Sequence, residues 1–224
     1  MRTAAGVGSA PARARIPPGI AALVALLLLA CACPAAYPTT KGLSQIVTPD
    51  LQPPGSLSLS AQAQARVVGN PWQLQAELGL TDWAELAVFQ GFSPDEQILN
   101  AELGLLRNEP LLLSAGFLNW STRGGSAQPF IEAGWYEEHA KLMAGLQRIG
   151  ASNEALLGCA WDFNPRWRVQ ADYLGGSDNA ITLGVTWTPN ERWQVNPALY
   201  RSNDSAHAYT GYLVVTYTIA LWEH

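Results

Sequence analysis

The sequence contains little charge. Asp, Glu, Lys and Arg make up 14% of the 224 residues, whereas an ordinary soluble domain has about 25%. The net charge is −5, and there is no run of like charges and no basic stripe. These absences exclude a nucleic-acid-binding surface. The folded chain is therefore expected to have an unusually thin charged surface.

Cysteine and long apolar runs are also scarce. Cys31 and Cys33 fall in or beside a predicted export signal, and Cys159 stands alone in the remainder. A disulfide framework and a cysteine metal site are therefore not predicted. The motifs HExxH and GxSxG and a phosphate-cradling loop are missing, so we predict no metal, no cofactor and no enzyme activity. No run of about 18 apolar residues occurs, which excludes a spanning helix in the mature chain.

Residues 1–36 have the organisation of an export signal. Arginines precede an apolar run of signal-peptide length, Ile20–Ala30, and small residues suited to cleavage follow it. Two alternatives stay open, a retained membrane anchor and lipidation of Cys31. Residues 37–54 are rich in Pro and Thr and lack a clear period, so they predict an extended leader into the domain that spans residues 55–222.

Alternation of apolar and polar residues dominates the rest of the chain. QLQAELGL at 73–80 has Leu or Ala at every second position, and this pattern predicts twelve strands. They are expected at 56–64, 72–80, 83–91, 98–106, 111–120, 130–136, 141–148, 155–163, 167–174, 181–187, 192–200 and 209–221. Most approach the about 9 to 11 residues that a tilted strand needs to cross a bilayer. Short and long connections alternate, as in transmembrane barrels.

The apolar face is predicted to point outward into lipid. A soluble barrel with an apolar interior is the alternative, but twelve strands enclose more space than apolar side chains fill. The apolar positions at the strand centres include no charged residue. Aromatic residues fall at strand ends, as in membrane barrels. Those aromatics are Trp72, Trp83, Trp120, Phe130, Trp161, Phe163, Trp167, Tyr173, Trp187, Trp193, Tyr200, Tyr209 and Trp222. Because backbone groups must pair in hydrocarbon, the sheet is expected to close into an antiparallel up-and-down transmembrane β-barrel.

The polar face is then predicted to line a lumen. Its candidate pore-lining residues are Gln75, Glu77, Glu85, Asn100, Glu102, Glu132, Lys141, Asp162, Arg168 and Asp172. Acids outnumber bases six to two in this set, which predicts a preference for cations. Glu77 and Glu102 are the leading pair, because both lie near mid-strand on strands of the same direction. The alternative is that internal ion pairs close the lumen.

Glycines recur on the lumen phase of seven strands. They are Gly79, Gly104, Gly116, Gly134, Gly145, Gly158 and Gly184. A glycine inside a strand marks a bend, a bulge or a close approach. Two interpretations stay open: the glycines let the sheet curve into a small barrel, or they keep a passage open at mid-depth.

Two features stand outside this pattern. RSNDSAH at 201–207 gathers Asp204, Ser205 and His207 in one loop, but a catalytic triad needs a base held and oriented by a third group, and a polar loop is the simpler interpretation. Pro197 cannot donate to a ladder, so it predicts a bulge, or a strand divided into two pieces.

Residues 55–222 resemble bacterial outer-membrane β-barrel proteins of the small porin-like kind. Besides the alternation, the terminal YLVVTYTIALWEH is similar to the aromatic-ended last strand of such proteins, although Glu223 and His224 follow Trp222. The resemblance implies the outer membrane as location, the lipid bilayer and the outer-membrane assembly machinery as partners, and passive passage of a small solute. The alternatives are a non-conducting structural or assembly barrel, with Tyr37–Pro54 folded inside, and a barrel enzyme acting on lipid.

Overall fold

The computed structural model describes residues 42–66, 68–204 and 206–222. The predicted signal peptide, residues 37–41 of the predicted leader, Ser205, Glu223 and His224 lie outside the described residues. Among the residues described, no helix is long and apolar enough to cross a membrane.

Twelve β-strands form the fold, at the places that the alternation predicts. They are β1 Ser56–Gln64, β2 Trp72–Thr81, β3 Ala84–Phe92, β4 Asp95–Asn108, β5 Leu111–Ser121, β6 Gln128–Tyr136, β7 Ala140–Ile149, β8 Ser152–Asn164, β9 Trp167–Leu174, β10 Ala180–Asn190, β11 Trp193–Ser202 and β12 Tyr209–Ala220. Each strand pairs antiparallel with the next, and β1 pairs with β12 from Ser56 opposite Ala220 to Gln64 opposite Tyr212. The closed, all-β barrel that the sequence predicts is thereby confirmed.

The two ends of the barrel differ. Connections at the end where β1 begins and β12 finishes have two or three residues, at 82–83, 109–110, 137–139, 165–166 and 191–192. We call this the short-turn end. The opposite loop end has the connections 65–71, 93–94, 122–127, 150–151, 175–179 and 203–208.

Two loop-end connections are clearly shorter than predicted, because β4 and β8 each begin three residues earlier than the alternation indicates. Only Ser93 and Pro94 link β3 to β4. The side chain of Asn70 holds this turn: its Oδ1 accepts from the amides of Phe92 and Ser93 at 3.1 and 3.0 Å. Its Nδ2 donates to the carbonyl of Pro94 at 2.5 Å. A contact from the neighbouring connection therefore fixes a turn that local sequence does not reveal.

Side-chain burial divides the barrel into a polar inside and an apolar outside. Buried side chains include Gln170, Asn196, Thr216 and Thr218, each at most 1% exposed. Leucines of the opposite phase, such as Leu142 and Leu183, are more than half exposed. An apolar belt of this extent is unfavourable in water, so it is the lipid-facing surface of a transmembrane barrel.

Most aromatic side chains at strand ends lie on this outer surface, but two do not. Trp72, Trp120 and Tyr209 are exposed, whereas Phe130 and Tyr200 are about 5% exposed and point inward. Their assignment to the outer aromatic belts is wrong. Both residues share the phase of inward polar neighbours, Glu132 for Phe130 and Asn196 for Tyr200, and the pleat fixes their direction.

Pro197 does not divide β11, which runs unbroken from Trp193 to Ser202. Pro197 lies opposite Leu213 of β12. On the β10 side the paired positions pass from Ala198 to Val195, and the register shift falls nearer the turn, between Trp187 and Asn190. The missing donor of Pro197 therefore lies at an interruption of the β10 ladder, and the strand stays whole.

Candidate functional site: the lumen and its internal segment

Residues 42–54 lie inside the barrel. Leu43, Ile46, Leu51 and Gln52 are at most 7% exposed, although the segment precedes the first strand. It joins β1 at the short-turn end, where the amide of Gly55 donates to the carbonyl of Gly79 at 2.9 Å. We call residues 42–54 the internal segment.

The barrel holds the first part of the internal segment by its main chain. The carboxylate Oδ2 of Asp172 accepts from the amides of Ser44 and Gln45 at 2.7 and 3.3 Å. Tyr200 donates its hydroxyl to the carbonyl oxygen of Ser44 at 2.6 Å. Gln170 Nε2 donates to Ser44 Oγ at 3.2 Å. Hydrogen bonds to an ionised carboxylate are the stronger kind, so Asp172 is the main polar anchor here.

An apolar pocket on the inner wall receives two side chains of the internal segment. Leu43 and Ile46 pack in one cluster with residues of β6 to β9: Phe130, Met143, Leu156, Ala160 and Leu174. Leu156 is fully buried. The lumen therefore is polar around most of its wall and apolar beside the internal segment.

The second part of the internal segment is held near the short-turn end. Asp50 accepts from the Tyr136 hydroxyl at 2.6 Å and from the Lys141 ammonium at 3.3 Å. The Lys141 ammonium also lies 4.5 Å from the ring centroid of Tyr136. The amide of Gln52 donates to Glu85 Oε2 at 2.7 Å. Its side chain donates to Ser58 Oγ at 2.6 Å.

Five of the seven lumen glycines lie against the internal segment. A Cβ on Gly79 would stand 2.1 Å from the carbonyl oxygen of Pro53, and one on Gly184 would stand 2.3 Å from Ser44 Oγ. Gly104, Gly134 and Gly158 would meet Leu51, Pro49 and Leu43, respectively. The other two face the barrel itself: Gly116 meets the backbone of Ala101 and Glu102, and Gly145 that of Ile131 and Glu132. Most of these glycines therefore make room for the internal segment, which the alternation pattern does not reveal.

Two cavities flank the internal segment. The loop-end cavity has a volume of about 420 Å³ and the short-turn cavity about 1230 Å³. Residues 43–47 border the first, and residues 50–52 border the second. Among the described residues, none lines both cavities. The internal segment thus stands between the two halves of the lumen.

The cavities differ in charge. The ionisable side chains that line the loop-end cavity, tyrosines aside, are Glu77, Glu85, Glu96 and Glu102. Those that line the short-turn cavity have both signs: Asp50, Glu138, Asp162 and Glu191 with His139, Lys141, Arg166, Arg168 and Arg192. When the charges that line a cavity share one sign, the low dielectric constant of the surrounding protein strengthens their electrostatic field. The loop-end cavity is therefore the negative part of the lumen.

The predicted lumen residues fall into three groups. Gln75, Glu77, Glu85, Asn100 and Glu102 line the loop-end cavity. Lys141 and Arg168 line the short-turn cavity, where Arg168 donates to both carboxylate oxygens of Asp162 at 2.6 and 3.1 Å. Asp172 binds the internal segment, and Glu132 lies 1% exposed opposite Gly145.

Glu85 and Glu102 lie directly opposite each other on β3 and β4. Like charges in such a pair destabilise a sheet. The amide that Gln52 presents to Glu85 offsets part of this repulsion, so the acidic cavity and the internal segment are linked.

Sequence reasoning does not find Tyr136, Met143, Leu156 and Tyr200 as lumen residues. Tyr136, Met143 and Leu156 share the strand phase of the predicted lumen residues Glu132, Lys141 and Gly158, and Tyr200 shares that of the buried Asn196. Strand phase is therefore the signal that finds them. Residue type conceals it, because all four are apolar or aromatic at positions expected to be polar.

The loop at 203–208 uses the carboxylate of Asp204 for its own backbone. Asp204 Oδ1 accepts from Ser202 Oγ at 2.7 Å and from the amides of Ala206 and His207 at 3.0 Å each. The Ser202 hydroxyl holds the pKa of this carboxyl below its usual value. Among the described residues, no group of three or more His, Cys, Asp or Glu is placed to hold a metal ion.

Comparison with solved structures identifies porins of similar fold. One is described as "KdgM porin", with a TM-score of 0.53 and 10% identity over 72% of this chain and 98% of that chain. A second, "KdgM porin in complex with disordered oligogalacturonate", has a TM-score of 0.52 and 10% identity over 75% and 99% of the two chains. No protein-family model matches the sequence. No curated protein matches it either. The chain therefore has a porin fold, and the porin-like resemblance read from its sequence is confirmed at the level of fold.

Proposed function

We propose that the protein is an outer-membrane channel that lets small solutes pass passively through its lumen. The observation that carries this proposal is a closed, lipid-facing barrel whose polar inner wall borders a cavity at each end. Burying an acidic side chain costs free energy. A barrel that served only as a membrane anchor would therefore not need buried acids that face a cavity large enough for water. Residues 1–36 would direct export, and the assembly machinery would insert the barrel.

Charge narrows the solute class. The neighbouring porin is described with oligogalacturonate, a saccharide whose units carry carboxylates. The loop-end cavity here is lined by four glutamates, which disfavours such a polyanion. We therefore propose cations and neutral small solutes as the cargo, with Glu77 and Glu102 as the selective pair, by the rule that rings of acid favour cations.

A non-conducting barrel is the second candidate, and the internal segment is the observation that favours it. Residues 42–54 separate the two cavities and are held by hydrogen bonds at both ends. An enzyme acting on lipid would instead depend on the loop at 203–208. Loss of lipid turnover in Ser205→Ala would support that activity.

Conductance distinguishes the first two candidates. The full-length protein is refolded in detergent, checked by its heat-modifiable gel shift, and inserted into a planar bilayer under a salt gradient. Discrete steps with a reversal potential on the cation side support the channel. A folded protein that gives no step, either as wild type or with the internal segment loosened, would overturn it.

A further inference from the structure

The contacts that hold the internal segment are of a kind that any extended peptide could make. Asp172 accepts from two main-chain amides, Tyr200 donates to a main-chain carbonyl, and Glu85 accepts from a third amide. These groups recognise backbone and not particular side chains. Asp172 and Tyr200 lie on β9 and β11, close together on one side of the barrel, whereas Glu85 lies on β3 across the lumen. The internal segment is therefore held from both sides, and its first part lies against the wall of β9 to β11.

The wall around Asp172 has room for the side chains of a polypeptide. A Cβ on Gly158 would meet the side chain of Leu43, and one on Gly184 would meet that of Ser44. Glycine in a strand interior weakens a sheet, and at these two positions it lets the internal segment approach the wall closely. Gly158 on β8 and Gly184 on β10 lie on the two strands that flank Asp172 on β9, so the space and the hydrogen-bonding group lie side by side.

An apolar pocket lies beside this space. Leu43 and Ile46, three residues apart, fill the pocket formed by Phe130, Met143 and Leu156. Main-chain hydrogen bonds with pockets for selected side chains are the general way in which extended peptides are bound. The wall of β6 to β11 presents both features, the apolar pocket on β6 to β9 and the hydrogen-bonding groups Asp172 and Tyr200 on β9 and β11.

We propose that the lumen contains a binding groove for an extended peptide, and that residues 42–54 of the same chain occupy it as a tethered ligand. The proposal rests on the channel function above, since the groove runs along the solute path. While seated, the internal segment divides the lumen; displaced, it joins the two cavities into one passage. Short peptides with aliphatic residues three apart are the solute class that competes for the groove.

The test uses the full-length protein with the double substitution Leu43→Ala and Ile46→Ala, which we call the loosened variant. It removes the two side chains that seat the internal segment in the apolar pocket and leaves the groups of the groove itself intact. The matched control is Leu142→Ala with Ile181→Ala. It removes the same two kinds of side chain from the exposed outer face, where neither residue lines a cavity. Each protein must first pass the heat-modifiable gel shift.

We expect the displaced population of the internal segment to rise at least about tenfold in the loosened variant, because truncation of buried aliphatic side chains removes the contacts that seat the segment. Conductance then exceeds that of the wild type, while the control stays at the wild-type level. Adding a synthetic peptide with the sequence of residues 42–54, GLSQIVTPDLQPP, should lower the raised conductance. A scrambled peptide should have no effect.

Binding is measured separately, by fluorescence anisotropy of the labelled peptide on each folded variant. Binding to the loosened variant, with or without conductance, supports the groove. If no variant conducts but the peptide binds, the channel function fails and the groove stands. If wild type and loosened variant conduct equally and neither binds the peptide, the channel stands and the groove is overturned.

Discussion

At the scale of single residues, glycines and polar side chains explain how the internal segment fits inside the barrel. Gly79 faces the carbonyls of Pro53 and Gln52, and Asp172 faces the amides of Ser44 and Gln45. One kind of residue makes space, and the other satisfies backbone groups that would otherwise be buried without a partner.

Gly79→Ala is predicted to destabilise the protein. The new methyl group would stand 2.1 Å from the carbonyl oxygen of Pro53 and 2.5 Å from that of Gln52, so a backbone must shift. Overpacking of this kind costs roughly 1–3 kcal/mol. The measurement is the free energy of unfolding in urea, followed by tryptophan fluorescence in lipid vesicles. Gly211→Ala is the control, since nothing lies within 4 Å of a Cβ there; equal losses in both variants would contradict the steric argument.

Glu77→Gln with Glu102→Gln is predicted to weaken cation selectivity. Both carboxylates line the negative loop-end cavity, and their field concentrates cations there. The reversal potential under a salt gradient should move toward zero. Glu109→Gln with Asp178→Asn removes the same charge from exposed connections and should change it little. A reversal potential unaffected by the lumen pair would mean that these acids do not face the ion path.

The side of the barrel that a residue faces was predictable from the sequence, but the role of that residue was not. Alternation places Gly79, Glu77 and Asp172 on the lumen side, because the pleat has a strict period of two. The same rule would place Tyr200 inside, yet the expectation of aromatic belts at strand ends overrides it. The partner of the glycines is a segment that carries no alternation. The sequence offers the folding of this segment inside the barrel only as an alternative, and nothing in the pattern connects it with the glycines.

At the scale of elements, the strands follow from the pattern and the internal segment does not. β1 and β9 have the predicted bounds, and Pro197 leaves β11 intact. Lengthening of β4 depends on Asn70, which is distant in sequence. The position of residues 42–54 depends on contacts with β3, β6, β7, β9 and β11, so only the closed barrel determines it.

A disulfide between Ser44→Cys and Gly184→Cys is predicted to form in the folded protein. A Cβ on residue 184 would meet the side-chain oxygen of Ser44, the atom that the sulfur of Ser44→Cys replaces. Rotation of this side chain relieves the contact and leaves the two sulfurs within reach of a bond. Cys31, Cys33 and Cys159 are replaced by Ser to remove competing thiols. Mass spectrometry after mild oxidation detects the link. The pair Ser44→Cys with Gly211→Cys should stay reduced because residue 211 lies on the exposed outer face; linkage in both pairs, or in neither, would contradict the seated position of the internal segment.

At the scale of the whole molecule, the barrel is a membrane-facing cylinder with an asymmetric interior. Its outer belt is apolar, its loop-end cavity is acidic, and its short-turn cavity has charges of both signs. A solute that passes through would meet the glutamates at one end and the Lys141 and Arg168 region at the other. The internal segment lies at the boundary between these two regions, the position from which we propose that it controls passage.

Single-channel recording of the refolded full-length protein tests this account most directly. The wild type is predicted to give discrete, cation-selective steps in a planar bilayer, and the loosened variant Leu43→Ala with Ile46→Ala is predicted to give larger ones. Absence of any step from both proteins, each folded by the gel-shift criterion, would contradict the channel and leave a closed barrel whose lumen is filled by its own chain.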